Sequence, residues 1–469
     1  MRRIAADLCI IGAGAAGLSL AAGAAQMGAR VVLIEAGEMG GDCLNAGCVP
    51  SKALLAAARA AAAQRHPAVP GVAAVEPAID FAAVMGHVRA TIARIAPVDS
   101  QERFEGLGVT VIRARAQFLS DREVEAGGNR ITARRFAVAT GSRPAVPPIP
   151  GLAASGHLTN ETIFALQERP AHLVILGGGP IGMEMAEAFR GLGSRVTVIE
   201  AARALGREDA AAAAVVLAAL RAEGVEIREG QAVTEVLPGP VVRLADGSEV
   251  AGSHLLVATG RQPVVEGLGL EAAGVAFDRR GITVDGGLRT SNRRIFAMGD
   301  VAGQGQFTHL AGHHAGVVLR QAVLGLPARA NAKALPRVTY TDPELAQVGL
   351  TEAEARERHG ARLSVHRADF AHNDRAIAEG RDEGFVKIMV VAGRPVGVTA
   401  VGAGAGDAIG LWALALGRRM RLSAVAGMIA PYPTRGEAGK RAAGAYFAPK
   451  LFDNPWAKRL VRLVQSWVP

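Results

Sequence analysis

Residues 7–17 read DLCIIGAGAAG. An apolar run that predicts a buried strand leads directly into a glycine-rich turn, a helical pattern and a second strand that ends on an acid. The members of the pattern are Gly12, Gly14 and Gly17, the helix from Leu18 to about Met27, the strand from Arg30 to Ile34, and Glu35. Glycines allow a pyrophosphate to approach the backbone at a helix N-terminus, and an acid about 20 residues further on takes a ribose hydroxyl. Strand, glycines, helix, strand and acid in this order predict a dinucleotide-binding unit.

The same pattern occurs a second time at residues 173–200. Its strand is Leu173 to Leu176, its glycine turn reads GGGPIG, and its second strand ends on an acid. The corresponding residues are Gly177, Gly179, Gly182 and Glu200. Two complete copies in one chain predict two bound dinucleotides. Both units end on similar exit segments, ATGSRP at 139–144 and ATGRQP at 258–263.

Two of the three cysteines, Cys43 and Cys48, lie in the segment GDCLNAGCVPSKALL at residues 41–55. Pro50 suits a first helical turn and an alanine-rich run follows, so Cys48 is predicted at a helix N-terminus. The partial positive charge there, together with Lys52, favours the thiolate that attacks disulfides and electrophiles. A redox-active pair, a structural disulfide and a metal site all remain open from these residues. The shortness of the loop weighs against a structural disulfide, and the absence of a third nearby cysteine or histidine weighs against zinc.

Length and composition narrow the class of protein. The 469 residues are too many for one ordinary core, and half of them are apolar with 58 glycines, which indicates a multidomain α/β protein. No apolar run is long enough to predict a signal peptide or membrane span, so we expect a cytoplasmic protein. The net charge of +9 is spread over dispersed arginines without a basic, aromatic-rich block, so no nucleic-acid partner is expected.

The segment GGDCLNAGCVPSK at residues 40–52 closely resembles the redox-active disulfide segment of the flavin-dependent pyridine nucleotide disulfide oxidoreductases. That group includes dihydrolipoamide dehydrogenase, glutathione reductase and mercuric reductase. The resemblance implies two doubly wound Rossmann-type nucleotide-binding domains plus a C-terminal α+β dimerisation domain. The implied domains are 1–148 (FAD-binding, first part), 149–265 (NAD(P)-binding), 266–335 (FAD-binding and central, second part) and 336–469 (interface).

The resemblance also implies a reaction and its partners. FAD and NAD(H) or NADP(H) would be the cofactors, and the protein would be a homodimer. Electrons would pass from NAD(P)H through FAD to a Cys43–Cys48 disulfide, and then to a small-molecule or metal-ion acceptor at the dimer interface. A flavin NAD(P)H oxidase, or a redox sensor with a regulatory disulfide, is the alternative.

Particular residues take roles from the same resemblance. Cys48 would lie beside the flavin, Cys43 would meet the substrate, and Lys52 would form a buried ion pair with Glu184 near the flavin. Tyr432 and Glu437 complete the implied catalytic set. The implied cofactor-binding residues are Gly12, Gly14, Gly17, Glu35, Gly41, Lys52, Thr140, Gly141, Gly177, Gly179, Gly182, Glu200, Gly260, Asp300 and His309. Of these, Asp300 would accept a hydrogen bond from the ribityl chain, although an isolated Gly-Asp pair would indicate only a turn.

One departure from the family bears on the substrate. Dihydrolipoamide dehydrogenase and glutathione reductase carry His directly before Pro-Thr, whereas this chain has Tyr432 there and retains Glu437. A phenol with a pKa near 10 is a poor base at neutral pH, so ordinary dithiol chemistry is not expected. Mercuric reductase resembles this chain in having Tyr at that point. Its C-terminal cysteine pair has no counterpart, because Cys48 is the last cysteine in the sequence.

Two further expectations concern the nucleotide and the C-terminal segment. Glu200 can hold a ribose 2′-hydroxyl and would repel a 2′-phosphate, which favours NADH, although Arg203 and Arg207 lie close enough in sequence to support NADPH. The segment from Trp456 to Val468 predicts an amphipathic helix with one apolar and one basic face. Docking against the dimer is its expected use, and a weak contact with an anionic membrane is the other use that the pattern allows.

Overall fold

The computed structural model describes residues 2–467 and divides into two compact units. The first unit comprises residues up to 58, 78–201 and 230–332, and the second comprises 59–77, 202–229 and the residues from 333 onward. The architecture is mixed α/β, which confirms the predicted fold class. The domain limits given above stay predictions.

The first part of the chain contains the first glycine turn and both reactive cysteines. Its elements are β1 (Arg2–Ile11), α1 (Ala15–Gln26), β2 (Val31–Glu35), α2 (Gly41–Asn45), α3 (Cys48–Arg65), α4 (Phe81–Asp99), α5 (Gln101–Gly106), β3 (Thr110–Arg113), β4 (Ala116–Phe118), β5 (Glu123–Ala126), β6 (Asn129–Val138) and β7 (Ser142–Pro144). Helix α3 begins at Cys48 itself, as the sequence indicates. Ser100 separates α4 from α5, because its extended backbone ends α4 and its hydroxyl caps α5.

The middle part repeats the strand–turn–helix pattern and continues into antiparallel strands. Its elements are β8 (His172–Leu176), α6 (Pro180–Gly191), β9 (Arg195–Glu200), α7 (Ala210–Ala222), β10 (Glu226–Glu229), β11 (Val233–Leu237), β12 (Val241–Leu244), β13 (Glu249–Ala251), β14 (His254–Val257) and β15 (Arg261–Pro263).

The remaining part returns to the first unit and then builds most of the second. Its elements are β16 (Phe277–Asp278), β17 (Gly281–Ile282), β18 (Ile295–Ala297), α8 (Thr308–Ala322), β19 (Pro336–Thr339), β20 (Glu344–Gly349), α9 (Glu352–His359), β21 (Leu363–Asp369), α10 (Asp374–Ala378), β22 (Phe385–Val391), β23 (Arg394–Gly402), α11 (Ala405–Gly417), α12 (Leu422–Ala426), α13 (Glu437–Ala445), α14 (Ala448–Phe452) and α15 (Pro455–Trp467).

The main sheet of the first unit has the order β3-β2-β1-β6-β5-β4, and β18 also pairs with β6. Strand β1 runs parallel to β2 and β6, and β18 runs parallel to β6. Alternate side chains of β1 enter two cores: Leu8 and Ile10 pack with α1 and α8, whereas Cys9 and Ile11 pack on the opposite face. Because β1, β2, β6 and β18 end at one edge of the sheet, the loops that follow them converge there.

Two of the smaller sheets of the first unit bear on the site. Strand β8 pairs in parallel with β9 and β14, which is the second copy of the nucleotide-binding pattern. Strands β7 and β15 pair with each other in antiparallel register, with Ser142 opposite Pro263. The two similar exit segments noted in the sequence are therefore hydrogen-bonded partners, which the sequence did not predict.

The second unit is built on an antiparallel sheet of order β19-β20-β23-β22-β21. Its core includes Trp412 from α11 and small residues of α13. A buried lysine, Lys387 on β22, binds Asp209 and Glu352 at 2.8 Å each, and Asp209 also caps α7. Within residues 2–467, no helix combines the length and apolar character needed to cross a bilayer.

Candidate active site

The first glycine of each turn lies where a side chain cannot fit. Gly12 has φ +108°, and a Cβ on it would lie 2.3 Å from the carbonyl oxygen of Ala139. Gly177 has φ +109°, and a Cβ on it would lie 2.5 Å from the carbonyl oxygen of Ala258. Each glycine turn thus contacts the segment that follows the last strand of its own nucleotide-binding pattern, and the two turns have the same construction.

The helix N-termini after these turns fit a dinucleotide phosphate. Gly14 and Gly179 are the N-caps of α1 and α6, and no side chain among the described residues caps either helix. The first-turn N–H groups are therefore available to bind a pyrophosphate. A Cβ on Gly179 would meet nothing within 4 Å, so the approach is open. The third glycines, Gly17 and Gly182, pack against the carbonyls of Gly12 and Gly177.

The acids at the ends of β2 and β9 lie beside the turns. Glu35 accepts a hydrogen bond from the N–H of Ala13 at 2.5 Å, and Glu200 accepts one from the N–H of Gly178 at 2.8 Å. Both carboxylates therefore lie next to a glycine turn, as a contact with a ribose hydroxyl requires. The residues present fit two dinucleotides, one at each copy of the repeated pattern.

The two cysteines of the predicted redox pair lie on consecutive helices. Cys43 is on the short helix α2, which the sequence did not predict, and Cys48 is the first residue of α3. The hydrogen bond from the Cys43 thiol, the hydroxyl of Thr308 and the charge of Lys52 together lower the pKa of Cys48 to about 6. The same hydrogen bond, aided by burial, raises the pKa of Cys43. In the dithiol form the negative charge therefore lies on Cys48.

Thr308 was not singled out by the sequence. Its Oγ1 lies 3.5 Å from the Cys48 sulfur, and it is the first residue of α8. Cys48 thus lies near the N-termini of two helices, α3 and α8, and both favour a negative charge there. Only a contact between residues 260 positions apart in the chain reveals this arrangement.

Lys52 and Glu184 form the ion pair that the family resemblance implies. The Lys52 ammonium is 2.6 Å from Glu184 Oε2, and the two residues come from α3 and α6. The Glu184 side chain is 7% exposed and that of Lys52 is 36% exposed. The pair therefore fixes one positive charge within a turn of Cys48.

A network of polar contacts connects the cysteine segment with Asp300, the predicted flavin contact. Asp42, next to Cys43, lies 3.2 Å from the guanidinium of Arg261, and Asn160 donates to the same carboxylate at 2.9 Å. Arg261 in turn donates to the Ser142 hydroxyl at 2.8 Å, and Ser142 donates to Asp300 at 2.6 Å. Burial raises the pKa of Asp300. None of Asp42, Asn160, Arg261 and Ser142 was predicted, although Arg261 and Ser142 lie in the exit segments.

The other implied cofactor residues lie around this network. Gly41 packs against Gly14, because a Cβ on Gly41 would lie 2.7 Å from the Gly14 Cα. The Thr140 hydroxyl donates to the carbonyl of Val264 at 2.7 Å, which anchors the first exit segment. Gly141 and Gly260 have positive φ angles of +68° and +141° in the two exits, and His309 is exposed in the first turn of α8.

His314 is a buried residue next to the Gly299-Asp300 turn, and the sequence did not indicate it. Its Nδ1 accepts the N–H of Gly299 at 3.2 Å, directly before Asp300. Burial lowers the pKa of His314 to about 4, so the ring is neutral and can accept this bond. His314 therefore helps to hold the Gly299-Asp300 turn.

In the second unit, Tyr432 lies on an exposed loop before α13 and is 68% exposed. Its hydroxyl donates to Asp374 Oδ2 at 2.8 Å, and this hydrogen bond raises the pKa of Tyr432. Asn373 donates to the carbonyl of Thr434 at 3.0 Å, so the same two segments are joined twice. Glu437 begins α13, and within the described residues its Oε2 is buried without a hydrogen-bond partner.

No cluster of His, Cys, Asp and Glu suited to a resident metal ion occurs within the described range.

Comparisons with known proteins agree with this geometry. Residues 6–315 match the family described as pyridine nucleotide-disulphide oxidoreductase, and residues 335–443 match its dimerisation domain. The mercuric reductase of Streptomyces lividans is 36% identical over 460 residues, covering 94% of this chain and 96% of that protein. The dihydrolipoyl dehydrogenase of Bacillus subtilis is 33% identical, covering 92% and 96%.

Solved structures give the same result. The HOCl-induced flavoprotein disulfide reductase RclA of Escherichia coli superposes with a TM-score of 0.82 at 30% identity, covering 93% of this chain and 99% of that chain. LpdA of Mycobacterium tuberculosis gives a TM-score of 0.86 at 26% identity, covering 95% and 100%.

The fold and the comparisons define an FAD-dependent oxidoreductase. The chain belongs to the pyridine nucleotide-disulphide oxidoreductase family, whose cofactors are FAD and NAD(P)H. Its dimerisation domain supports a homodimer.

Proposed function

We propose that this enzyme passes electrons from NAD(P)H through FAD to the Cys43–Cys48 pair and delivers them to a thiol-binding metal ion or another small electrophile at the dimer interface. The observation that carries the choice of acceptor is the hydrogen bond from Tyr432 to Asp374 at 2.8 Å. Tyr432 occupies the position of the family's histidine base, and its raised pKa leaves it a poor base.

FAD, when bound, accepts a hydride from the nicotinamide and supplies two electrons to a disulfide. The residues of the chain prepare for this chemistry. Thr308 and Lys52 hold the negative charge on Cys48, and Glu184 orients the Lys52 ammonium at 2.6 Å. The glycine turns and the acids Glu35 and Glu200 bind and orient the two dinucleotides.

The low acidity of the Cys43 thiol favours a metal acceptor over a disulfide. A disulfide substrate requires Cys43 to attack as a thiolate, but its pKa is raised, and Tyr432 is no base to deprotonate it. A soft metal cation avoids this requirement, because coordination itself displaces the thiol proton. Reoxidation of the pair to a disulfide would release two electrons, which reduce one Hg(II) to Hg(0) or two Cu(II) to two Cu(I).

The names of similar proteins support the same class of acceptor. Several of the relatives are mercuric reductases, and two RclA structures are Cu(II) complexes. Glu200 at the end of β9 supports NADH as the donor. We also assign the protein to the cytoplasm, where a dithiol pair can be kept reduced between turnovers.

The test is anaerobic NADH oxidation by the FAD-loaded dimer with Hg(II), Cu(II), lipoamide or glutathione disulfide as acceptor. We expect turnover with a metal ion and poor turnover with both disulfides. Tyr432→Phe should impair the metal reaction and leave the reduction of flavin by NADH intact, whereas Tyr340→Phe serves as the matched control. Tyr432→His should raise dihydrolipoamide activity, because the unpartnered Glu437 oxygen can accept from the new imidazole.

Two results would contradict the proposal. Rapid wild-type turnover of dihydrolipoamide, together with an inert Tyr432→Phe, would place the base elsewhere. NADH oxidation that requires only oxygen and is unchanged by Cys43→Ser would favour the oxidase or redox-sensor alternative.

A further inference from the structure

The C-terminal helix α15 forms a separate amphipathic surface that the redox chemistry does not use. Asn454 caps it by accepting the N–H of Trp456 at 2.9 Å, and Pro455 occupies the first turn. None of its described residues is buried. The two tryptophans are 74% and 80% exposed, at positions 456 and 467. An apolar face this exposed indicates a binding surface.

The apolar and polar side chains of α15 lie on different faces, which meet where the Arg459 guanidinium lies 5.3 Å from the centroid of the Trp456 ring. At about 100° per residue, the apolar side chains fall on one side of the helix and the polar ones on the other. The apolar side carries Trp456, Leu460, Val461, Leu463, Val464 and Trp467. The polar side carries Lys458, Arg459, Arg462, Gln465 and Ser466, and the segment 454–467 contains no acidic residue. The helix therefore combines an apolar stripe with an uncompensated positive charge.

We propose that α15 binds in the plane of a bilayer surface that contains anionic phospholipids, and so docks this enzyme on a membrane. A helix of 13 residues is about 20 Å long, which is too short to span but sufficient to lie in the headgroup region. Tryptophan is favoured at that depth because its ring is apolar and its N–H is polar, and α15 has one at each end.

Charge distinguishes this occupant from a second copy of the chain. The whole chain carries a net charge of +9, so a basic helix that approaches another copy meets a surface of like net charge. Anionic lipid is complementary to Lys458, Arg459 and Arg462. The match to the dimerisation domain also ends at residue 443, before α15 begins at Pro455. We therefore prefer a membrane as the partner of α15 over docking against the dimer, which was the use expected from the sequence.

The test uses the full-length FAD-loaded dimer and vesicles of phosphatidylcholine with or without phosphatidylglycerol, separated by sedimentation. We expect binding to the vesicles with phosphatidylglycerol and much weaker binding to pure phosphatidylcholine. Replacing Lys458, Arg459 and Arg462 by Gln should weaken binding to the anionic vesicles at least about tenfold, because each cation near such a surface contributes to the attraction. The matched control, Gln at Arg115, Arg122 and Arg280, removes the same charge from exposed sites elsewhere and should bind as the wild type.

A second variant tests the apolar face. Trp456→Ser with Trp467→Ser should reduce vesicle binding by a similar factor and leave the flavin spectrum and NADH-dependent turnover unchanged. Because the third tryptophan, Trp412, is 2% exposed, quenching by brominated lipid in the wild type reports α15 alone. Absence of wild-type binding and quenching with anionic vesicles would overturn the proposal. Dissociation of the dimer by the double serine variant, measured by sedimentation velocity, would instead assign α15 to the second copy and would also overturn it.

Discussion

The clearest test of the site concerns the hydroxyl of Thr308. It lies 3.5 Å from the Cys48 sulfur and is among the groups that hold the pKa of Cys48 at about 6. Thr308→Val removes the hydroxyl and keeps the shape of the side chain. Thr308→Ser keeps the hydroxyl and is therefore the matched control.

The expected effect follows from the geometry. A hydrogen bond to a charged group contributes roughly 1.5–3 kcal/mol. The Cys48 side chain is exposed and the contact is long, so solvent screening reduces this to about 1 kcal/mol. Since a tenfold change in acidity corresponds to about 1.36 kcal/mol, Thr308→Val should raise the pKa of Cys48 by somewhat less than about one pH unit.

The assay follows the long-wavelength charge-transfer band of the Cys48 thiolate with bound flavin. It is measured as a function of pH in anaerobically reduced enzyme. The band should be present above the pKa of Cys48 and disappear as the pH falls through about 6 in the wild type. The midpoint should move upward in Thr308→Val and stay in place in Thr308→Ser. Equal midpoints in the wild type and Thr308→Val, or an equal displacement in both variants, would refute the role of the hydroxyl.

Further predictions use the same site. Lys52→Met should raise the pKa of Cys48 and Glu184→Gln should lower it, because the two charges act on the thiolate with opposite sign; displacement in one direction by both variants would contradict this. Cys43→Ser should leave a thiolate band in the oxidised enzyme and Cys48→Ser should abolish it, so identical spectra would reverse the assignment. Steady-state kinetics should show a preference for NADH, because a carboxylate at Glu200 would repel a 2′-phosphate, and a clear preference for NADPH would overturn that inference.

The sequence determined the parts of this protein that depend on short-range pattern. Each glycine turn lies between a strand and a helix, and this order can be recognised in one local stretch around Gly12 or Gly177. The close approach of each turn to Ala139 or Ala258 is a long-range contact that the local pattern does not contain. The placement of Cys48 at a helix N-terminus is likewise local, because Pro50 and the alanines after it are helix signals. For the same reason the amphipathic character of residues 456–467 was predicted, while Val468 lies outside the described residues.

Which distant residues lie together in the site depends on the packing of the folded chain. Thr308 reaches Cys48, Arg261 reaches Asp42, and β7 pairs with β15, although these partners are far apart in the chain. No periodicity encodes such contacts, because they depend on how the ends of several strands converge at one sheet edge. The acidity of the two cysteines depends on them as well. The sequence could indicate that Cys48 is reactive, but the sharing of one proton between Cys43 and Cys48 is set by the packed geometry around both sulfurs.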